Sequence, residues 1–144
     1  MTKKGMTMNV ENAVNPTPHQ IKELTEDGHD RPIYMVNLLK FKKKAEYEDG
    51  RETELTGQAA FGIYATQVEA HLNKVGGKPV IGGDVTGLRL GSVEDLWDMV
   101  AIAMYPNRKA MFAMVMDPDY RKSAEHRTAG LVGQLNIEMM LPED

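Results

Sequence analysis

The stretch WDMVAIAMYPNRKAMFAMVMDPDYRKSAEHRTAGL, residues 97–131, decides the fold that this sequence predicts. From Trp97 to Tyr105 only Asp98 is strongly polar, which is typical of a strand that is apolar on both faces. Pro106 ends that strand, because a proline cannot donate a hydrogen bond to a sheet.

Two helices follow this strand. Asn107 is placed to cap a helix over residues 108–116, whose apolar side chains recur at helical spacing. Asp117-Pro118 begins the second helix, since an aspartate cap followed by proline is a common helix start. Gly130 is typical of a glycine that ends a helix.

The rest of the chain supplies the other elements. We predict a short helix from Pro18 to Asp27-Gly28, a strand over 33–41, a helix from about Gly57 to Gly76-Gly77, a strand-like stretch over 78–91 with a bulge or bend at its glycines, and a last strand over 135–141. After the first helix the order is β-α-β-β-α-β, so the predicted fold is α+β, a ferredoxin-like protomer with an extra N-terminal helix. Residues 1–16 are expected to form a loose arm and residues 17–144 a single domain.

Strands 33–41 and 97–105 also predict an oligomer, because both are apolar on both faces. The ferredoxin-like arrangement covers one face of its sheet with two helices and leaves the other face open. Water does not favour an open apolar face. Burial of that face against a second copy is the simplest resolution, so we expect a homodimer.

Composition excludes several classes of protein. The 144 residues are 42% hydrophobic and 26% charged, as in ordinary soluble domains, and the net charge of −4 argues against nucleic-acid binding. The chain has no cysteine, no signal-peptide pattern at its N-terminus and no apolar run near the ~20 residues of a membrane span. We therefore expect a cytoplasmic protein with no membrane partner.

A long charged segment, residues 42–56, lies between the first strand and the next helix. Its composition is too polar to offset the entropy of ordering by apolar burial. The sequence therefore predicts a mobile lid or a dimer-edge arm that stays outside the core.

The usual signatures of catalytic chemistry are missing from the sequence. Its four histidines have no metal-ligand spacing, and its glycine pairs match neither a phosphate-binding loop nor a dinucleotide fingerprint. Ser123 and His126 are three residues apart on a helix, a weak indication of a nucleophile and its base. We predict no metal site and no cofactor.

Polar and aromatic residues in apolar surroundings are the better candidates for a site. Asn37 interrupts the first strand, so its amide either bonds within the protein or orients a ligand carbonyl or hydroxyl. Trp97 and Tyr105, at the two ends of the third strand, are either core residues or part of the lining of a ligand cavity.

The pair His126-Arg127 near a helix end also has two interpretations. Cations there complement the helix dipole, but histidine is also the usual general base near neutral pH. Arg127 is suited to hold a carboxylate in a bidentate pair, and Glu138 is the acid expected near them. We predict that Asn37, Tyr105, His126 and Arg127 converge on one cavity.

Several separate motifs resemble the DUF1330 family of uncharacterised proteins. They are MVNLLKF (35–41), a helix containing Tyr64, the turn Gly76-Gly77-Lys78, WDMVAIAMYPNRKAM (97–111) and MDPDYRKSAEHRTAGL (116–131), and together they span most of residues 17–139. The resemblance implies membership of the dimeric α+β barrel superfamily, in which ferredoxin-like protomers pair sheet to sheet. It implies no settled reaction.

Relatives in that superfamily include haem-degrading monooxygenases, which use an asparagine, a tryptophan and a histidine. In this resemblance Asn37 matches the first, but Tyr105 stands where the tryptophan is expected and His126 lies about two residues beyond the histidine position. These departures argue against haem as a cofactor.

Two functions remain open from the sequence. One is a cofactor-independent enzyme, similar to a monooxygenase or isomerase, that transforms a small anionic or carbonyl compound. In it His126 is the base, Arg127 holds the anion and Asn37 orients the substrate, with Tyr105, Trp97 and Glu138 nearby. The alternative is a ligand-binding or stress-related module that has the same pocket and no turnover.

Overall fold

A computed structural model describes residues 9–26 and 30–143. Its elements are α1 (Pro18–Thr25), β1 (Ile33–Phe41), α2 (Gly57–Lys74), β2 (Lys78–Asp84), β3 (Met99–Tyr105), α3 (Arg108–Met116), α4 (Pro118–Gly130) and β4 (Leu131–Met139). The four strands form one antiparallel sheet in the order β2-β3-β1-β4. The predicted α+β, ferredoxin-like fold is confirmed. None of the helices in these two ranges combines the length and apolar character that a membrane crossing needs.

Side-chain caps mark the helix starts. The hydroxyl of Thr17 accepts from the Gln20 amide while the Gln20 side chain accepts from the Thr17 amide, which is a complete capping box. Asn107 caps α3, and Asp117 caps α4. The predicted end of the first helix at Asp27-Gly28 lies outside the described residues.

Strands β2 and β4 differ from their predicted bounds. β4 begins at Leu131, directly after α4, and ends at Met139, whereas the alternation predicts a strand over 135–141. β2 ends at Asp84, and its irregularity falls between Pro79 and Ile81 rather than at the later glycines. The early start of β4 brings four more residues into the sheet, including Gln134.

The sheet has one face under the helices and one open face. Ile33 and Met35 of β1 are buried in a cluster with side chains from α2, α3 and α4. On the opposite face Val36 lies directly across from Ile102 of β3 and Ile137 of β4. The open face is therefore apolar across three neighbouring strands.

Two glycines set the approach of α2 to α4. A Cβ atom at Gly57 would lie 2.7 Å from the Gly130 carbonyl oxygen and closer still to the Lys42 carbonyl oxygen. A Cβ at Gly130 would collide with the Gly57 carbonyl. Gly130 does not have a positive φ, so it is required for space rather than for the left-handed turn that the sequence suggests.

The charged segment 42–56 packs onto the domain, and its predicted exclusion from the core is wrong. Ala45 and Tyr47 are only 3% and 8% exposed and lie in a buried cluster with alanines of α2 and α4. The Glu46 amide donates to the Ala129 carbonyl at 3.0 Å. Ala45 and Tyr47, at alternate positions, thus anchor a segment whose other residues are mostly charged.

The predicted loose arm, residues 1–16, lies partly outside the described residues. In its described part Ala13 pairs with Gln134 as an isolated antiparallel bridge, with N···O distances of 3.0 and 2.9 Å. Residues 12–14 thus lie along the free edge of β4.

Substitution of single glycines in α2 by alanine tests the α2–α4 contact. Gly57→Ala should lower the free energy of unfolding by about 1–3 kcal/mol, because the new carbon meets backbone oxygens that cannot move independently. Gly62→Ala is the matched control, since no atom lies within 4 Å of its added carbon, and it should gain about 0.5–1 kcal/mol from helix propensity. Urea unfolding of both variants measures the difference, and equal effects would contradict the predicted contact.

Candidate functional site

A chain of hydrogen bonds joins Arg127 to Asn37 through Gln134. Arg127 Nη2 donates to Gln134 Oε1 at 2.8 Å and to the Val14 carbonyl oxygen at 2.9 Å. Gln134 Nε2 in turn donates to Asn37 Oδ1 at 2.9 Å. Gln134 is buried, Arg127 and Asn37 are half-buried, and the three side chains come from α4, β4 and β1.

The Asn37 amide is satisfied within the protein. Its Nδ2 donates to the carbonyl oxygens of Met35 and Ala101 at 3.3 and 3.1 Å. Its Oδ1 accepts from Gln134 and also from Asn136, which lies opposite it on β4. Of the two interpretations of Asn37, hydrogen bonding within the protein therefore explains the contacts of its amide. Asn37 is linked to Arg127 indirectly, through Gln134.

Three tyrosines lie in the core under the same face. Tyr64 Oη and Tyr120 Oη are 3.0 Å apart, and Tyr105 is buried in the cluster that contains Tyr120. Burial raises the pKa of both Tyr64 and Tyr105, with a further rise from Tyr120. The positive charge of Arg127 lowers the pKa of both phenols, because a nearby cation favours the charged phenolate.

His126 makes its contacts with the segment 42–56. Its Nδ1 is 2.6 Å from Tyr47 Oη, and the two rings meet edge to face at 5.5 Å. The Arg51 guanidinium lies 4.4 Å from the Tyr47 ring centroid and pairs with Asp49 and Glu125. The structure thus links Asn37 to Arg127 and gives the neighbouring His126 a different set of partners.

The two remaining predicted residues also have partners elsewhere. Glu138 is held by Arg108 in a bidentate pair, with Nε and Nη2 each 2.8 Å from a carboxylate oxygen. Trp97 Nε1 donates to Asn12 Oδ1 at 2.8 Å. Glu138 therefore serves as a counter-ion of Arg108, and its place near Arg127 stays a prediction.

A second polar pair lies between α2 and α4. His71 Nε2 is 2.9 Å from Ser123 Oγ, and the His71 ring meets the Tyr120 ring edge to face at 5.7 Å. Ser123 therefore pairs with a histidine 52 residues away and not with His126. No local spacing signals this pair, since it depends on how the two helices pack.

Two clefts lie on the protein at places other than Arg127. Clefts of about 450 and 540 Å³ lie beside Phe41–Lys43 and within residues 44–54, and neither is lined by Asn37, Tyr105 or Arg127. Within residues 9–26 and 30–143, no three His, Asp or Glu side chains come together as a metal-binding group. Asn37 and Arg127 are joined through Gln134, whereas His126 bonds to Tyr47 and Tyr105 packs in the core, and a cavity shared by all four stays a prediction.

The chain is similar to solved structures of a bacterial protein. The RPA0582 protein of unknown function from Rhodopseudomonas palustris, a structural genomics target, is 28% identical with a TM-score of 0.81, over 93% of this chain and 100% of that chain. The methylated RPA0582 protein is 31% identical with a TM-score of 0.82, over 92% and 96% of the two chains. No protein-family model and no curated protein matches the chain.

The buried phenols predict how stability depends on pH. Because the pKa of native Tyr105 is raised, both states bind the phenolic proton below pH ~10 and this contribution is complete there. Above pH ~10 the unfolded state loses that proton first, so the free energy of unfolding falls. Tyr105→Phe should show a shallower fall in urea-derived stability between about pH 10 and 11. Parallel curves for the two proteins would rule out the predicted shift.

Proposed function

The chain belongs to the family of the RPA0582 protein, and from that premise we propose that it binds a small carboxylate-bearing molecule at Arg127, on the helix side of its sheet. The function of the RPA0582 protein is unknown, so the proposal rests on this chain's own side chains. Membership of the DUF1330 family stays a prediction.

The observation that carries the proposal is a half-buried guanidinium that has no acidic partner among the described residues. Three of the six arginines are half-buried, and two of them, Arg31 and Arg108, pair with glutamates. Among the residues that the structure describes, no carboxylate pairs with Arg127, whose partners are an amide oxygen and a backbone carbonyl. A half-buried cation gains from an anion in hydrogen-bond contact, and a ligand carboxylate would supply one.

The surroundings of Arg127 suit an anion better than a second cation. Gln134 and Asn136 add neutral amides, and no acid of β4 competes, because Glu138 already holds Arg108. Tyr64 and Tyr105 have raised pKa values, so both phenols are neutral at physiological pH. The cluster therefore combines one positive charge with neutral polar groups.

The binding function is better supported than the enzymatic one. A general base must reach the proton that it removes. His126 Nδ1 contacts Tyr47, and among the described residues no hydrogen bond joins His126 to Gln134 or Asn37. Catalysis by His126 stays a prediction, and so does the place of Trp97 in the site.

We also propose that the protein is a homodimer that pairs through the open face of the sheet. β4 directs Asn136 and Glu138 toward the helix side, so its apolar residues, such as Ile137 and Met139, lie on the open face. These two side chains are 48% and 40% exposed in the single chain. A second copy presents the same apolar row and would cover both.

Substitution of Arg127 tests the proposed ligand class. The probe is propionate, and propionamide is its neutral counterpart. Each is titrated into the protein at constant ionic strength, and binding is detected by protein NMR. Wild type should bind propionate in preference to the amide. Arg127→Gln should weaken propionate binding by about 10- to 100-fold, because a charge-assisted hydrogen bond contributes ~1.5–3 kcal/mol. Arg127→Lys should retain part of the affinity, since the charge remains and the planar fork is lost.

Arg121→Gln is the matched control on the same helix. Arg121 is exposed and bonds to Val115 and Met116 of α3, so its loss should leave propionate binding unchanged. Equal weakening by Arg121→Gln and Arg127→Gln, or equal binding of propionate and propionamide by wild type, would refute the proposed site.

Charge placed on the open face tests the dimer. Ile137→Lys should convert a dimer into a folded monomer, because the lysine would have to be buried unpaired between the two sheets. Met116→Lys, at 49% exposed on α3, matches it in exposure and should remain a dimer. Sedimentation equilibrium distinguishes the two masses. A monomeric wild type, or a dimeric Ile137→Lys, would contradict sheet-to-sheet pairing.

A further inference from the structure

Residues 12–14 are held on the fold by four hydrogen bonds, one of which comes from Arg127. Ala13 makes two backbone bonds with Gln134, and Asn12 accepts from Trp97 at 2.8 Å. The fourth is the bond from Arg127 Nη2 to the Val14 carbonyl oxygen, at 2.9 Å. This segment therefore touches both the edge of β4 and the guanidinium proposed to bind the ligand.

The way an arginine holds a carboxylate makes this last bond significant. A guanidinium has two edges that form paired hydrogen bonds with a carboxylate, Nε with Nη2 and Nη1 with Nη2. Both edges use Nη2, and among the described residues Arg108 with Glu138 and Arg51 with Asp49 form such pairs through Nε and Nη2. In Arg127 the two hydrogens of Nη2 are already engaged by Val14 and Gln134.

A bidentate carboxylate must therefore displace one of these two acceptors. Gln134 is buried, and loss of its bond would leave the amide oxygen unsatisfied at a cost of about 1–3 kcal/mol. The Val14 carbonyl belongs to a segment at the edge of the fold, where water can replace the lost partner. The Val14 carbonyl accepts from one of the two Nη2 hydrogens, and each of these hydrogens belongs to one edge. When the carbonyl leaves, the edge that contains its hydrogen becomes available to a carboxylate.

We propose that residues 12–14 act as a built-in competitor of the ligand at Arg127, so that bidentate carboxylate binding and docking of this segment on β4 oppose each other. This inference rests on the proposed function, since it concerns regulation of the same site. Linkage makes the effect reciprocal: a weakened segment raises ligand affinity, and bound ligand loosens the segment.

Ala13→Pro in the full chain tests the competition. Proline removes the amide that donates to the Gln134 carbonyl, and Ala13 itself makes no contact with the guanidinium. Propionate should bind this variant about fivefold or more tightly than wild type, the low end of ordinary coupling between sites. Asn12→Ala, which removes the acceptor of Trp97, should shift the affinity in the same direction by a smaller factor.

Hydrogen exchange of the Ala13 amide in wild type gives a second readout. Propionate should accelerate exchange at Ala13, and propionamide should not. The proposed competition is overturned if propionate leaves the exchange rate of the Ala13 amide unchanged and if wild type and Ala13→Pro bind propionate with equal affinity. If Arg127→Gln still abolishes binding in that case, the proposed carboxylate site stands. Absence of propionate binding in both wild type and Ala13→Pro overturns the two proposals together.

Discussion

The close approach of α2 to α4 at Gly57 and Gly130 is the constraint on which the remaining arrangement depends. Neither position has space for a side-chain carbon, and the Lys42 amide donates to the Gly130 carbonyl at the same point. Direct contacts at this point thus fix the start of α2, the end of α4 and the end of β1 against one another. β4 follows Gly130 without a connecting loop, so the same junction also sets where Gln134 enters the sheet.

From that junction the polar cluster on the helix side of the sheet follows. Arg127 lies one turn before Gly130, and Gln134 lies four residues after it, so the contact between them spans the helix–strand boundary. Gln134 reaches Asn37 because it pairs with Leu39, two residues from Asn37 on the same face of β1. The Arg127 guanidinium is thus held near the core by an amide oxygen and a backbone carbonyl. Within the described part of the chain, no carboxylate neutralises its charge.

Most of the fold was predictable from local signals, and most of the contacts in the site were not. The apolar run of residues 33–41 predicted the bounds of β1, and Asn107 and Asp117 marked two helix starts by their capping chemistry. Gln134 was missed because the residues directly after Gly130 show no alternation. The packing of Tyr47 was missed because its segment is charged, and contacts between distant residues such as His71 with Ser123 depend on helix packing, which has no local period.

Carboxylate binding at Arg127 can be observed directly at the guanidinium. In protein labelled with ¹⁵N-arginine, the Arg127 Nε–H resonance, assigned by its loss in Arg127→Gln, should shift progressively with propionate and saturate. The same resonance should stay in place with propionamide. An Arg127 resonance that does not respond to propionate, or that responds equally to the amide, would contradict the proposal that this half-buried cation is the ligand-binding group.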